Sequence, residues 1–115
     1  MYQTNLTPEQ KAKWLVALRS GDFKQARQML KIDNRFCCLG VMSCVVSETD
    51  DPYYLWYEGK ITDGYKLAKE LLTEPVAHRL MVMNDGAQGE VRRTFPEIAD
   101  WVEENLISIH SKEKE

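Results

Sequence analysis

The sequence lacks the features that would place it in a membrane or outside a cell. No apolar run approaches the roughly 20 residues that a membrane-spanning helix requires. The first residues, 1–5, have neither the basic nor the apolar region of a signal peptide. The chain has only three cysteines, an odd number that would leave one thiol over in any secreted disulfide framework. We therefore expect a cytoplasmic protein with reduced thiols and no membrane partner.

Familiar catalytic and metal-binding motifs are also missing. There is no Walker loop, no Gly-x-Ser-x-Gly, no His-Glu-x-x-His and no dinucleotide fingerprint, and two histidines leave few choices of general base. Cys37, Cys38 and Cys44 lack the paired spacing of a zinc site. We expect buried structural cysteines, with neither a metal nor a cofactor. Cys37, close to Arg35, is the one candidate for a catalytic thiol.

The composition is that of an ordinary globular chain with an uneven distribution of charge. Its 115 residues are 43% hydrophobic and 29% charged, which suits a single domain with one core. The net charge of −3 argues against a dedicated DNA-coating protein. Residues 1–47 nevertheless carry seven Lys or Arg against three acids, and residues 48–115 carry eight against fifteen. This asymmetry is typical of a partner-binding surface, and equally of helices with solvated basic faces.

Two capping boxes predict the first and last helices. Thr7-Pro8-Glu9-Gln10 opens a helix that Gly21 ends, because glycine suits the left-handed residue after a helix. Thr94-Phe95-Pro96-Glu97 opens another, whose apolar residues recur at helical spacing.

The central part of the chain contains the most apolar segment. Residues 36–46 form an uncharged run that predicts a helix buried nearly all round. Gly40 lowers helix propensity by roughly 1 kcal/mol, so we expect another element to approach it closely. The spacing of apolar residues also predicts a helix over 23–31, capped by Asp22, and a short helix over 76–80.

An aromatic segment, residues 53–57, reads as a strand, and turn signals after it allow a small β-hairpin over 53–67. In a strand Tyr54 and Trp56 share one face. That face would grip a partner or stack a base, unless the strand is buried on both sides.

A polar loop is predicted at Asn84-Asp85-Gly86, ahead of Arg92 and Arg93. A carboxylate and an amide on a glycine-bearing loop, with two guanidinium groups nearby, would hold a polar or phosphate-bearing ligand. The alternative is that Asn84 and Asp85 only satisfy backbone groups in a tight turn.

Together these signals predict an α+β fold that is mainly α. We expect a compact single domain over residues 1–107, with a buried central helix and a small β-hairpin. Residues 108–115 are expected to form a flexible C-terminal tail.

Several residue strings also form a recognisable pattern. They are Trp14…Ala17-Leu18-Arg19-Ser20-Gly21, then Phe23, Gln25 and Leu30, then Cys37-Cys38-Leu39-Gly40-Val41, Asn84-Asp85, and Phe95…Ile98-Ala99-Asp100-Trp101-Val102-Glu103. In this pattern the sequence resembles a family of small proteins encoded by tailed phages and prophages, with residues 47–72 unmatched. That family carries no settled activity. The resemblance implies a phage origin, and small phage proteins of this size often act by binding, as host-takeover or anti-defence factors.

The leading hypothesis is a small phage-type, non-catalytic binding protein in the host cytosol. It would sequester a nucleotide-like small ligand or block a host protein, and a homo-oligomer is left open. The residues expected to bind are Tyr54, Trp56, Asn84, Asp85, Arg92 and Arg93. One alternative is a small hydrolase or nucleotide-processing enzyme, with Asp85 as acid/base and the two arginines on phosphate. The other, less expected, is a nucleic-acid-binding protein that uses the basic first half.

Overall fold

The computed structural model describes residues 1–108, which fold into an α+β domain that is mainly α, as predicted. The helices in this part of the chain are α1 (Pro8–Ser20), α2 (Cys38–Ser47), α3 (Gly64–Leu72), α4 (Glu74–Asp85) and α5 (Phe95–Asn105). The strands are β1 (Tyr2–Thr4), β2 (Lys24–Gln25), β3 (Lys31–Ile32), β4 (Arg35–Phe36), β5 (Leu55–Tyr57), β6 (Lys60–Thr62) and β7 (Leu106–Ser108). None of these helices has both the length and the apolar character needed to cross a membrane.

Helix α2 is the centre of the core, which confirms the prediction of a buried central helix. Every residue from Cys38 to Cys44 is buried, and α1, α3 and α4 pack around it. The helix begins two residues later than predicted, because Phe36 belongs to β4. Gly40 is where another element comes close, since a Cβ built there would lie 2.0 Å from the carbonyl oxygen of Leu30.

Both capping boxes form as predicted. Thr7 Oγ1 accepts a hydrogen bond from Gln10 N at 3.0 Å, and Gln10 Oε1 accepts one from Thr7 N at 3.0 Å. Gly21, with φ of 81°, ends α1 in the left-handed conformation. The second box, at Thr94 and Glu97, starts α5 in the same way.

The prediction of a helix over 23–31 is wrong, and Asp22 therefore is not a helix N-cap. The segment instead supplies β2 and β3 to a three-stranded sheet in the order β2-β4-β3, with β2 parallel and β3 antiparallel to β4. Ala26 N donates to Phe36 O at 2.8 Å, and Gln28 takes a positive φ of 68°, which no α-helix contains. Contacts with distant parts of the chain override the local apolar spacing here.

The hairpin β5–β6 is present, but it is shorter than the sequence suggested. Its first strand begins at Leu55 and not at residue 53, so Tyr54 lies just before the strand, and the hairpin ends at Thr62. Residues 64–72 form α3, because Asp63 Oδ1 accepts hydrogen bonds from the amides of Tyr65 and Lys66 and so caps a helix. The short helix predicted over 76–80 extends to Asp85, where Gly86 ends it at a φ of 70°.

The end of the described chain is a strand. Residues 106–108 form β7, which pairs in parallel with β1, and Ser108 is buried opposite Thr4. Ser108 therefore does not belong to a flexible tail. Residues 109–115 of the predicted tail lie outside the described residues.

Candidate functional site

Asn84 lies at the centre of a buried hydrogen-bond cluster, and the loop predicted there is the last turn of α4. Its side chain is 0% exposed. The oxygen Oδ1 accepts from Gln25 Nε2 at 3.0 Å and from Cys38 N at 3.2 Å. The nitrogen Nδ2 donates to Ala26 O at 2.8 Å and to Asp85 Oδ1 at 2.9 Å. All four hydrogen-bonding positions of the amide are therefore used within the protein, so Asn84 has none left for a ligand.

Asp85 is half-buried and holds a strained turn. Besides the Asn84 amide, its Oδ1 accepts a hydrogen bond from Gln28 N at 2.9 Å. Gln28 is a non-glycine residue with a φ of 68°, a conformation that needs such support from its surroundings. Asp85 thus stabilises the backbone conformation of the segment between β2 and β3.

The structure brings Arg92 and Arg93 to this cluster, but by their backbones. Arg93 N donates to Met83 O at 2.9 Å, and Arg93 O accepts from Gln25 Nε2 at 2.8 Å. A Cβ on Gly86 would lie 3.0 Å from the Cβ of Arg92, and the φ of Gly86 is 70°, so a larger residue would be both crowded and strained there. Within residues 1–108, neither guanidinium group makes an ion pair or a hydrogen bond.

Gln25 is the residue of this cluster that the sequence reasoning missed. Its Nε2 connects Asn84 Oδ1 with Arg93 O, so one side chain joins α4 to the segment before α5. A helix over 23–31 would put Gln25 on the side away from its apolar residues. Gln25 belongs to the recognised pattern, but that pattern names no partner for it. The cluster is consequently a connection between distant segments of the chain.

The aromatic hairpin has one face in the core and one in solvent, which favours the first of the two interpretations of this strand. Leu55 is 2% exposed, whereas Trp56 is 61% exposed and its cross-strand partner Ile61 is 52% exposed. Tyr54, two residues before Trp56, is 58% exposed. We call Tyr54, Trp56 and Ile61 the hairpin face. In the described chain no side-chain hydrogen bond links Tyr54 or Trp56 to the Asn84 cluster.

The three thiols are free and buried. Burial raises the pKa of Cys37 to about 11 and that of Cys44 to about 11, and it raises the pKa of Cys38 well above its usual value. Cys37 Sγ accepts a hydrogen bond from Gly40 N at 3.4 Å, so this thiol caps α2. Within residues 1–108, no three His, Cys, Asp or Glu side chains lie close enough together to hold a metal ion.

These thiols are expected to react slowly with a disulfide reagent such as DTNB. A pKa of about 11 lowers the thiolate fraction of Cys37 at pH 8 by roughly 100-fold relative to an ordinary thiol, and burial adds to the protection. We expect the native protein to react at least about 100-fold more slowly than the protein in urea. If a thiol reacted equally fast in the native and the urea-unfolded protein, this prediction would be contradicted and Cys37 would again be a candidate nucleophile.

A family model matches residues 6–79, which is more than half of the 115-residue chain. The chain belongs to the DUF8296 family, a domain of unknown function. The match includes α1, α2, the hairpin and α3, and it ends inside α4, before Asn84. The hairpin face thus lies within the DUF8296 match, whereas Arg92 and Arg93 lie beyond it. No curated protein and no solved structure shows significant similarity to the chain.

Proposed function

We propose that this chain is a small non-catalytic binding protein of the phage type, a host-takeover or anti-defence factor that blocks a host protein in the cytoplasm. The hairpin face is its contact surface. The observation that carries this proposal is the exposed cross-strand pair of Trp56 and Ile61, with a second exposed aromatic residue, Tyr54, two positions before Trp56 in the chain. Tryptophan and tyrosine are the residues most enriched among those that dominate the energy of protein interfaces.

The size of the hairpin face suits the centre of an interface. At about 200 Å² for a whole aromatic side chain, the exposed parts of its three residues amount to roughly 300 Å². The largest apolar patch on a typical monomer measures about 300–600 Å² and is often functional, so the hairpin face reaches the lower end of that range. Within an interface of about 800 Å² per partner, such a patch would be the apolar centre and its polar surroundings the rim.

The hairpin also holds this face rigid before any partner binds. Tyr57 and Lys60 pair across a two-residue turn in which Glu58 and Gly59 both have positive φ, the conformation that matches the twist of a hairpin. Leu55 is buried in the core, and Tyr57 Oη accepts a hydrogen bond from Gln10 Nε2 at 2.8 Å. A preformed surface loses little conformational entropy on binding, which raises affinity.

The alternative of a small nucleotide-like ligand has weaker support. It requires Asn84 and Asp85 to hold the ligand, and the amide of Asn84 is fully used inside the protein. A ligand of this kind would increase the free energy of unfolding by RT ln(1 + [L]/Kd), and the melting temperature would rise as a result. A panel of nucleotides therefore tests the alternative directly.

The proposal is tested by a binding experiment with Trp56→Ser, and with Val16→Ser as the matched control. Val16 is also apolar and 69% exposed, but it lies on α1. Tagged wild-type protein is incubated with host lysate, and the host protein that it retains is identified and purified. Calorimetry then measures the Kd of the complex between this purified host protein and each variant. We expect Trp56→Ser to raise Kd by at least about 30-fold, which corresponds to about 2 kcal/mol. Val16→Ser should leave Kd unchanged.

Three results would contradict the proposal. The first is equal affinity of the wild type and a folded Trp56→Ser variant for the purified partner. The second is an equal loss of affinity in Val16→Ser. The third is a wild-type protein that retains no host protein and is instead stabilised by a nucleotide.

A further inference from the structure

A cavity of about 290 Å³ is lined by residues of α2, α3 and α4. Two of its lining residues belong to the core, since Leu39 is 0% exposed and Ala77 is 4% exposed. Tyr65 and Met81 are half-buried and complete its apolar part. This apolar part extends away from the connection between α3 and α4, because Tyr65 and Met81 also line a smaller neighbouring cavity at Cys37.

The connection between α3 and α4 is the single residue Thr73, and its backbone is strained. Its φ of 78° and ψ of 156° fall in a region that is essentially restricted to glycine. Thr73 N donates to Lys69 O at 3.1 Å, and Thr73 O accepts from Ala77 N at 3.0 Å. These bonds hold the last turn of α3 against the first turn of α4. Backbone strain of this kind is concentrated at ligand-binding sites and switch regions.

This connection places a cation and a carboxylate at the cavity. Lys69 lies in the last turn of α3, Glu74 is the first residue of α4, and both line the cavity with exposed side chains. Neither side chain forms an ion pair or a hydrogen bond with any other residue of the described part of the chain. The polar part of the cavity therefore offers one positive and one negative charge that the protein does not use.

We propose that this cavity binds a free α-amino acid with an apolar side chain. The carboxylate of the ligand pairs with Lys69 and its ammonium group with Glu74, as charge-assisted hydrogen bonds. The apolar side chain of the ligand lies against Leu39, Ala77 and Met81. Drug-sized ligands occupy cavities of about 300–1,000 Å³, so a cavity of about 290 Å³ suits a smaller molecule such as an amino acid.

The pair of unused charges favours a zwitterion over other small apolar ligands. A carboxylic acid without an amine would bring its charge next to Glu74, and an amine without a carboxylate would bring its charge next to Lys69. A neutral apolar molecule would leave both charges unpaired. An α-amino acid carries both charges and its side chain on one carbon atom, so it matches the charged and the apolar part of the cavity together.

The site is separate from the hairpin face and lies in the part of the chain that the family model matches. All lining residues except Met81 fall within residues 6–79, and none belongs to the hairpin face. The proposed function therefore does not depend on this ligand.

Isothermal titration calorimetry of the full chain with L-leucine, L-methionine and L-phenylalanine tests the proposal. We expect binding of at least one of them, and at about ten times its Kd this amino acid should raise the melting temperature by about 5 °C. L-aspartate and L-lysine should bind at least about 10-fold more weakly, because their side chains would bring a further charge into the apolar part of the cavity.

Ligand analogues and charge variants assign the two contacts. For L-leucine, the methyl ester lacks the carboxylate and isocaproate lacks the ammonium group, and each should bind about 10-fold more weakly. Lys69→Gln should weaken L-leucine binding about 10-fold without weakening the ester further, and Glu74→Gln should do the same without weakening isocaproate further. For L-methionine or L-phenylalanine the corresponding ester and deaminated acid are used. The control Lys66→Gln removes an exposed cation from α3 outside the cavity and should leave Kd unchanged.

Four outcomes overturn this inference. They are no binding of any of the three apolar amino acids, equal binding of L-aspartate or L-lysine, equal binding of the ester, and an equal loss in Lys66→Gln and Lys69→Gln. The analogues give their answer with the wild-type protein, so the test does not depend on the folding of a variant. Trp56→Ser should keep amino-acid binding while losing the host protein, which distinguishes a failure of this inference from a failure of the proposed function.

Discussion

Gly40→Ala is expected to lower the free energy of unfolding by more than about 4 kcal/mol, or to prevent folding. The added Cβ would lie 2.0 Å from the oxygen and 3.0 Å from the carbon of the Leu30 carbonyl. These are backbone atoms, and Cys37 N donates a hydrogen bond to the same oxygen at 3.2 Å. The Leu30 carbonyl therefore cannot move away from α2 without breaking this hydrogen bond. Urea denaturation followed by circular dichroism measures the change.

Gly21→Ala is the matched control for this prediction. Gly21 has a positive φ of 81° and nothing within 4 Å of a built Cβ, so alanine there meets an unfavourable backbone conformation but no clash. We expect this variant to lose about 1 kcal/mol. A similar loss in both variants would show that the contact between Gly40 and Leu30 is looser than described.

Asn84→Ala is expected to cost about 3–5 kcal/mol of stability. The substitution leaves Cys38 N, Ala26 O and Gln25 Nε2 without their Asn84 partner, and it also removes a hydrogen bond to Asp85. Two of these groups, Cys38 N and Ala26 O, belong to buried residues, where an unsatisfied polar group costs about 1–3 kcal/mol. Chemical denaturation of the purified variant measures the loss.

Gln88→Ala is the control for this prediction, because Gln88 is exposed and its side chain only approaches His78 Nε2 at 3.4 Å. Its stability should change by less than about 0.5 kcal/mol. If Asn84→Ala were as stable as this control and lost only ligand binding, Asn84 would belong to a binding site rather than to the framework of the fold.

The features that the sequence predicted correctly depend on residues close together in the chain. Each capping box needs only four consecutive residues to exchange its two hydrogen bonds, so Thr7 and Thr94 mark helix starts reliably. The uncharged run around Gly40 is long enough to predict a buried helix, and the missing side chain at Gly40 indicates close packing. The nearby sequence does not indicate which atom packs against Gly40, and in the structure it is the carbonyl oxygen of Leu30.

The features that it missed depend on partners far away in the chain. Residues 23–31 have apolar spacing suited to a helix, but Gln25 bonds to Asn84 across 59 residues and Ala26 O accepts from Asn84 across 58. The burial of Asn84 was missed for the same reason. An Asn-Asp-Gly sequence predicts a turn, and the structure uses its asparagine inside the core. Trp56 could be assigned to the exposed face of β5 by alternation, because a strand needs no distant information for that. Tyr54 lies just before the strand, so its exposure does not follow from alternation.

The parallel pairing of β1 and β7 has a mechanical consequence. Tyr2 lies opposite Leu106 and Thr4 opposite Ser108, so tension applied between residues 2 and 108 would draw the two strands past each other along their length. The hydrogen bonds of this pair would bear that load together in shear, rather than opening one after another as in a hairpin pulled at its ends. Stretching a molecule tethered at these two positions should therefore give a higher rupture force than tethering it across the β5–β6 hairpin.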